Sequence, residues 1–289
     1  MKLSTALRLG RVSNLPTITS NVLAACALSG VQPAASTLAL LCFALSLAYV
    51  GGMYLNDAFD REHDARVRPE RPIPSGEISA RSVFALGFGM LGAAVALVGY
   101  AAASAPHGPV RATLSALGLC AAIVLYDLHH KGNPLSPVLM GACRVLVYVT
   151  TAFALIAMPP DALWLGAGAL LSYLIGLTYA AKQENLGRVD NAWPLLFLAL
   201  PLGFALRIHD GTGALLLVLL VALAGYALSR LLGADPRKRD IPRAVSSFIA
   251  GISLLDGLLA ATAGQPTLAL VCAACCALTL GAQRFIAGT

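Results

Sequence analysis

Ten apolar segments, each close to the length that crosses a lipid bilayer, occupy most of this 289-residue chain. A transmembrane helix needs about 20 consecutive, mostly apolar residues. Hydrophobic residues make up 58% of the chain and charged residues only 12%, far more apolar surface than a soluble core of this size needs. The sequence therefore predicts one all-α domain over residues 1–289, a polytopic transmembrane helical bundle. The predicted spans are residues 15–31, 36–56, 82–104, 110–128, 136–158, 162–181, 193–209, 213–233, 244–263 and 266–286.

The basic residues test this count, because Lys and Arg collect in the cytoplasmic connections of membrane proteins. Nearly all of the 20 basic residues fall in every second connection, and only Arg111 and Arg207 fall in the others. Ten spans with both termini in the cytoplasm fit this pattern, whereas nine, with one re-entrant segment, would place Arg284 outside. We expect an integral protein of a bacterial inner membrane, in contact with membrane lipids. The net charge of +6 then requires no nucleic-acid partner.

Polar chemistry gathers at the end of the second predicted span. On an ideal helix Asn56, Asp57, Asp60 and Asp64 fall within an arc of roughly 100°. Three carboxylates and an amide therefore share one face, and oxygen ligands of this kind suit Mg²⁺, whose remaining waters phosphate oxygens replace. The sequence predicts a Mg²⁺ site that binds a diphosphate.

The connection after this face carries Arg66, Arg68 and Arg71 among three prolines, which predicts an ordered cap facing bound anions. A plain positive-inside loop would explain the arginines but not the three in-phase aspartates. An EF-hand calcium loop is also a poor match, because residues 57–64 lack its central Gly and terminal Glu.

Three further positions carry polar groups toward the same side or into the spans. The connection from Tyr126 to Pro134 contains His129, His130 and Lys131, and we interpret its paired histidines as a solvated loop rather than as metal ligands. Arg144 lies inside a span, where a guanidinium normally faces a polar cavity or a partner. Asp256, near the middle of another span, either hydrogen-bonds Arg144 or only locks helices together.

Asn14 permits two interpretations. It lies beside Pro16 at the mouth of the first span, where it either lines a pocket or caps the helix.

The sixth span ends in a weaker copy of the acidic site. Gln183, Leu186 and Asp190 repeat the spacing of the three aspartates, but only the last keeps its carboxylate. Glu184 lies about 120° from Asp190 on a helix, so the two chelate poorly unless the helix ends between them, which Gly187 permits.

These residues resemble the UbiA superfamily of intramembrane prenyltransferases. The first acidic motif of that family, Asn-Asp-x-x-Asp-x-x-x-Asp, matches residues 56–64, and its Arg-Pro-(apolar)-Pro-Ser-Gly cap matches residues 71–76. The stretch Tyr-Ala-Ala-Lys-Gln-Glu-Asn at residues 179–185 resembles the EboC-like branch of the superfamily.

The resemblance implies a bundle around a central cavity, with Mg²⁺ and a prenyl diphosphate near the cytoplasmic face. Asn56, Asp60 and Asp64 would bind the first metal, with Asp57 in support. Arg71 and Lys131 would contact the diphosphate. Glu184 or Asp190 would hold the second metal in altered geometry, or Lys182 would replace its charge. The catalytic candidates are Asp60, Asp64, Lys131, Tyr126 and Arg144. The candidates for the acceptor cavity are Asn14, Tyr179, Asn185 and Asp256.

Two functions from different classes remain open. The first is Mg²⁺-dependent transfer of a prenyl group from a prenyl diphosphate to an aromatic or other lipophilic acceptor. The second is a membrane protein that binds or transports a lipid diphosphate, or a related metabolite, without turnover. Phosphatidyl-alcohol transfer is disfavoured, because its Asp-Gly-x-x-Ala-Arg core is missing from the sequence.

Overall fold

The computed structural model describes residues 2–186, 192–233 and 239–288, without the side chains of residues 183–186. Within these ranges the chain is helical and contains no strand. The α-helices are α1 (Leu3–Leu9), α2 (Leu15–Leu28), α3 (Ala35–Phe59), α4 (Arg61–Val67), α5 (Ala80–Ala102), α6 (Val110–His129), α7 (Ser136–Leu155), α8 (Asp161–Leu186), α9 (Gly211–Leu232), α10 (Ile241–Thr262) and α11 (Pro266–Ala282). Short 3-10 helices cover Val12–Asn14, Trp193–Leu198 and Leu200–Arg207.

Seven of the described helices, α3 and α5 to α10, are long and apolar enough to cross a membrane. The predicted all-helical membrane bundle is thus confirmed, and the chain is an integral membrane protein. The other three predicted spans are shorter apolar helical segments, namely Val12–Leu28, Trp193–Arg207 and Pro266–Ala282.

The segment predicted as a span over residues 193–209 does not form an α-helix. It folds as two 3-10 helices, each with a proline in its first turn. Pro194 and Pro201 lack the N–H of an α-helical hydrogen bond and clash with the preceding turn, which prevents one continuous helix. The prediction of a transmembrane α-helix here rested on apolar composition alone and is wrong.

The apolar core consists of two main clusters that share helices. One cluster packs α8, α9 and α10 together with parts of α2, α7 and α11. The other packs α3, α5 and α6 against the remaining faces of α2 and α7. The seam between the clusters runs along α2 and α7. The α10 helix lies deepest, with 89% of its 18-residue apolar window buried.

Glycines set the close approach of α3 and α5. A Cβ atom added at Gly87 would lie 2.8 Å from the Leu55 side chain, and one at Gly51 would lie 2.9 Å from the Gly87 carbonyl oxygen. Gly89 and Gly92 on the same helix have no such role, because an added Cβ at either position has no neighbouring atom within 4 Å.

We predict that Gly87→Val lowers stability by about 1–3 kcal/mol, because the new side chain overpacks the contact with Leu55. Gly89→Val is the matched control on the same helix, and we expect a change of less than about 0.5 kcal/mol there. Thermal unfolding of the two purified variants in detergent measures both effects. Equal melting temperatures for the two variants would contradict the packing assignment.

Candidate functional site

The first acidic motif lies at the junction of α3 and α4. Asn56 and Asp57 occupy the last turn of α3, Asp60 separates the two helices, and Asp64 lies in α4. Asn56, Asp57 and Asp64 are buried, whereas Asp60 is half-buried. Carboxylates in such positions require charged or hydrogen-bonding partners, and each of them has one.

Arg71 joins two of the three carboxylates. Its Nη1 atom lies 2.8 Å from Asp64 Oδ2 and 3.3 Å from Asp57 Oδ1. The ordered cap predicted from the prolines therefore folds back onto the motif that precedes it. Arg11 approaches the same group, with its Nη2 atom 3.5 Å from Asp57 Oδ1.

Arg11 was not identified from the sequence as a site residue. Its backbone has a φ of 41°, a left-handed conformation that is unusual for a residue with a side chain. It lies between α1 and the 3-10 helix Val12–Asn14, and its side chain lines the main cavity. The only signal in the sequence was its position three residues before Asn14, at the mouth of the first apolar segment.

Asp60 has different partners. Lys131 Nζ lies 2.7 Å from Asp60 Oδ1, and His130 Nε2 lies 3.4 Å from Asp60 Oδ2. Burial raises the pKa of Asp60, but the hydrogen bonds from His130 and Lys131 outweigh it, so this pKa is lowered overall. Burial lowers the pKa of His130, but the hydrogen bond to Asp60 outweighs it, so this pKa is raised overall.

The interpretation of both histidines as a solvated loop is wrong for His130. Its ring contacts Asp60 and stacks on Tyr126 with a centroid distance of 5.1 Å. His129 is exposed, as that interpretation expects. The two differ because adjacent side chains on a helix end point in different directions, and only one meets α3.

The three aspartate side chains therefore do not form one continuous carboxylate face. Asp57 and Asp64 both form ion pairs with Arg71, whereas Asp60 forms an ion pair with Lys131 in the α6–α7 connection. Within the described ranges, no group of three or more His, Cys, Asp or Glu side chains is arranged to hold a metal ion. The motif differs from the single carboxylate face predicted for an ideal helix for two reasons. The helix is broken at Asp60, and two separate sets of cations bind the carboxylates.

The donor chemistry nevertheless fits Mg²⁺. Asn56, Asp57, Asp60 and Asp64 all present oxygen atoms, which are the ligands that hard divalent cations prefer. The Arg71 nitrogen lies within hydrogen-bond distance of both Asp57 and Asp64, so a cation already bridges this carboxylate pair. Asn56 donates from Nδ2 to Asp127 Oδ1 at 3.1 Å, which leaves its own oxygen for a ligand.

A cavity of about 270 Å³ extends from this cluster into the bundle. Its outer end is basic, with Arg11, Arg68 and Arg71 in the wall, and Tyr126 and Asp127 lie nearby. Its body is mostly apolar and follows the seam between the two core clusters. The apolar lining comes from both of them and includes Ile18, Leu45, Leu119, Ile123, Leu174, Leu177 and Ile252.

Asp127 is a further buried carboxylate that the sequence did not single out. Its Oδ1 atom accepts from Asn56, whereas its Oδ2 atom is buried without a hydrogen-bond partner among the described residues. Its only signal in the sequence was its place beside Tyr126, at the start of the connection from Tyr126 to Pro134.

Arg144 and Asp256 are linked through Asn21. Arg144 donates to Asn21 Oδ1 at 2.8 Å, and Asn21 donates to Asp256 Oδ2 at 2.8 Å. Ser20 and Tyr148 also donate to Asp256, each at 2.5 Å. Of the two interpretations of Asp256, the direct bond to Arg144 is absent, whereas its hydrogen bonds to α2 and α7 match the interpretation that it locks helices together. Asp256 lies fully buried behind the cavity wall.

Asn14 lines the cavity and makes no capping hydrogen bond to α2. Its amide donates to Tyr49 Oη at 3.2 Å and to the Gly288 carbonyl at 2.8 Å. Of the two interpretations of this residue, the structure matches the pocket rather than the helix cap.

The second acidic motif is only partly visible. Lys182 Nζ donates to the Asn133 carbonyl at 2.7 Å, which connects α8 to the loop after Lys131. Tyr179, one helical turn earlier, packs against the larger core cluster. Asp190 and the side chains of Glu184 and Asn185 lie outside the described residues, so their predicted roles remain predictions.

We predict that the His130–Asp60 pair makes stability depend on pH near neutrality. The pKa of His130 is raised above its ordinary value of 6.5, so the contribution of the protonated ring is complete below that value. It is lost as the pH rises through the higher pKa of the folded state. The melting temperature, measured without added metal or diphosphate, should therefore fall as the pH rises above about 6.5.

His130→Gln should lose most of this pH dependence, because it removes the group that titrates. His129→Gln is the matched control, since His129 is adjacent and exposed. A pH profile that is the same for wild type and His130→Gln would contradict the pairing.

The chain is similar to known proteins across most of its length. A profile of the UbiA prenyltransferase family matches residues 14–252. The digeranylgeranylglyceryl phosphate synthase of Methanopyrus kandleri is 33% identical over 165 residues, which is 55% of this chain and 56% of that protein. The enzyme of the same name from Metallosphaera sedula is 42% identical over 73 residues, covering 24% and 25% of the two chains. The chain thus matches about half the length, or less, of these curated relatives.

A solved structure described as digeranylgeranylglyceryl phosphate synthase in membranes superposes with a TM-score of 0.60 at 19% identity. The superposition covers 91% of this chain and 98% of that one. At this level of identity the similarity establishes a common fold.

Proposed function

Because the chain belongs to the UbiA prenyltransferase family, we propose that it transfers a prenyl group from a prenyl diphosphate to a lipophilic acceptor within the membrane. The observation that carries this proposal is the cavity, which is basic at one end and apolar along its body. A prenyl diphosphate has the same polarity, with an anionic head and a hydrocarbon tail. We place the basic end at the cytoplasmic face, in agreement with the distribution of Lys and Arg.

The basic end can bind the diphosphate through several side chains. Arg11, Arg68 and Arg71 lie in the cavity wall, and Lys131 lies beside Asp60 at the edge of the same cluster. Guanidinium groups bind phosphate oxygens in a bidentate manner, whereas an ammonium group acts as a point charge. These residues would hold the head group while the prenyl tail extends along the apolar wall.

Cleavage of the allylic C–O bond moves negative charge onto the departing diphosphate and leaves a carbocation on the prenyl group. Arg71 and Lys131 stabilise the developing negative charge because they are already positioned around the motif. Mg²⁺ bound by Asn56, Asp57, Asp60 and Asp64 would add Lewis-acid stabilisation of the same charge. Tyr126 in the wall can shield the cation through the face of its ring, and the apolar lining excludes water.

The acceptor is proposed only as a class. The apolar body of the cavity favours a lipophilic molecule, and both an aromatic acceptor and a lipid alcohol satisfy this requirement. The curated relatives are named for a lipid phosphate, digeranylgeranylglyceryl phosphate. An assay panel should therefore contain both an aromatic acceptor and a prenylated glyceryl phosphate.

The alternative is a protein that binds or transports a lipid diphosphate without turnover. The observation that favours it is the full pairing of the first-motif carboxylates with basic side chains, which keeps them in a charge-neutral cluster. Prenyl transfer and binding without turnover both require that the diphosphate head group binds. Only a measurement of diphosphate release therefore distinguishes them.

We predict that Asp60→Asn lowers the rate of prenyl transfer by about 100-fold or more, because it removes the charge that orders Lys131 and His130 and that would bind Mg²⁺. Glu62→Gln is the control, since Glu62 is exposed in the adjacent helix. The purified protein is assayed with geranylgeranyl diphosphate and the acceptor panel, following product and diphosphate by mass spectrometry. Unchanged transfer by Asp60→Asn would refute the assignment, and wild-type binding without diphosphate release from any acceptor would favour the alternative.

We predict that removal of divalent cations by EDTA abolishes the transfer activity and that excess Mg²⁺ restores it, because the oxygen donors of the motif suit that ion. The same titration should change the melting temperature of the wild type but not of a variant with Asp57→Asn and Asp64→Asn together. Activity that is unaffected by EDTA would contradict the assignment of a metal to the motif, but it would not contradict membership of the UbiA prenyltransferase family.

A further inference from the structure

The one amide of the acidic motif is paired with a carboxylate from another helix. Asn56 lies on α3 and Asp127 on α6, and the Nδ2 atom of Asn56 donates to Asp127 Oδ1 at 3.1 Å. Both side chains are buried, with 8% of Asn56 and 4% of Asp127 exposed. Asp127 also lines the main cavity, so the pair lies beside the space that the proposed donor occupies.

A close contact between α3 and α6 supports this pair from one turn deeper in the bundle. Gly52 precedes Asn56 by one helical turn, and Ile123 precedes Asp127 by one turn. A Cβ atom added at Gly52 would lie 2.9 Å from Ile123 Cγ2. The Ile side chain is stiff at χ1, so it does not easily turn away from such an atom. The absence of a side chain at Gly52 therefore allows the helix approach that brings Asn56 and Asp127 within hydrogen-bond distance.

The orientation of the Asn56 amide decides whether this residue can bind a cation. The oxygen of an amide accepts, whereas its NH₂ group only donates and does not bind a metal ion. The three aspartates of the motif present an oxygen in either orientation of their carboxyl groups. Asn56 is therefore the one member of the motif that needs a partner to select between two orientations.

A carboxylate at residue 127 selects one orientation, because an ionised carboxylate only accepts hydrogen bonds. A hydroxyl or amide group in its place could also donate to the Asn56 oxygen and so permit the reversed amide. The carboxylate carries a cost. Asp127 Oδ2 is buried without a hydrogen-bond partner, and no basic side chain lies within 4.0 Å of this carboxylate, both among the described residues. Such a cost indicates a role beyond joining α3 to α6.

We propose that Asp127 is a positioning residue, which holds the Asn56 amide so that its oxygen is presented to the divalent cation of the first motif. This inference rests on the proposed function, since it concerns the cation that the proposed reaction uses. Asp127 acts through Asn56 and is not itself a ligand. Loss of a partner that orients a metal ligand typically lowers metal affinity by about 10- to 100-fold, and we expect an effect of this size here.

The test measures metal binding to the full-length protein in nanodiscs of phosphatidylcholine. Mn²⁺ is the probe, because it prefers the same oxygen ligands as Mg²⁺ and its free ion is quantified by electron paramagnetic resonance. It is titrated alone and with geranylgeranyl thiolodiphosphate, a donor analogue that is cleaved poorly. Asp127→Ala should weaken Mn²⁺ binding at least about tenfold. Asp161→Ala is the matched control, because Asp161 is an exposed carboxylate at the start of α8.

A double-mutant cycle with Asn56→Ala separates positioning from direct binding. A residue that acts only through the Asn56 amide has no further effect once that amide is gone, so the double variant should bind Mn²⁺ as Asn56→Ala does. Asp127→Asn should retain part of the affinity, because its carbonyl oxygen accepts from Asn56 in one of its two orientations. Circular dichroism and melting temperature establish that each variant is folded. If Asp127→Ala does not fold, Asp127→Leu replaces it in the cycle, since Leu has a similar shape and no acceptor.

Three results would overturn the inference: Mn²⁺ binding by Asp127→Ala that equals that of the wild type, binding by Asp127→Asn that is no tighter than that of Asp127→Ala, or a further loss when Asp127→Ala is added to Asn56→Ala. A wild type that binds no Mn²⁺ in either titration would overturn it as well. Prenyl transfer from geranylgeranyl diphosphate by the wild type is measured in parallel. If the wild type transfers but the cycle fails, only the role of Asp127 is wrong. If the wild type binds Mn²⁺ but transfers to no acceptor, the proposed function fails and the cycle still decides the role of Asp127.

Discussion

Carboxylates at the end of an apolar helix are stable only when opposite charges neutralise them, because the hydrocarbon region offers no water to solvate them. In this protein the required cations come from three separate parts of the chain. Arg11 precedes the first apolar helix, Arg71 belongs to the cap, and Lys131 lies between α6 and α7. Charge neutralisation at Asp57, Asp60 and Asp64 therefore brings these segments together at one end of the bundle, beside the outer end of the cavity.

The same cations are the groups that a diphosphate would bind. In the proposed reaction, metal and diphosphate enter a cluster that is already balanced, so binding exchanges partners and leaves the net charge of the site low. This exchange of partners relates the arrangement of the motif in the structure to its arrangement in the proposed complex with metal and diphosphate. The paired carboxylates of the structure and the metal-binding carboxylates of the proposed complex would differ in which cation each oxygen contacts.

The sequence predicted the helical bundle well, because the length and composition of a membrane span are local properties. It failed at residues 193–209, where Pro194 and Pro201 outweigh the apolar composition. The side-chain partners were harder to predict. Gly87 faces α3, whereas Gly89, about 200° away on the same helix, does not, and only the rotation of α5 in the bundle decides between them. His130 and Arg11 reach the motif through contacts between segments far apart in sequence, which no local pattern encodes.

The weak second motif is best understood through charge. Lys182 replaces no carboxylate directly, but its ammonium is bound to Asn133, in the same connection that carries Lys131. Two ammonium groups, one on α8 and one after α6, are thus connected through a single loop beside the first motif. A family site with two acidic motifs balances diphosphate with two divalent cations. A site with one acidic motif can reach a similar balance with one divalent cation and fixed ammonium groups, because each ammonium supplies positive charge without requiring carboxylates to hold it. We propose that Gln183 and Leu186, in place of acidic residues, change how the diphosphate is neutralised, and that prenyl transfer remains compatible with the altered motif.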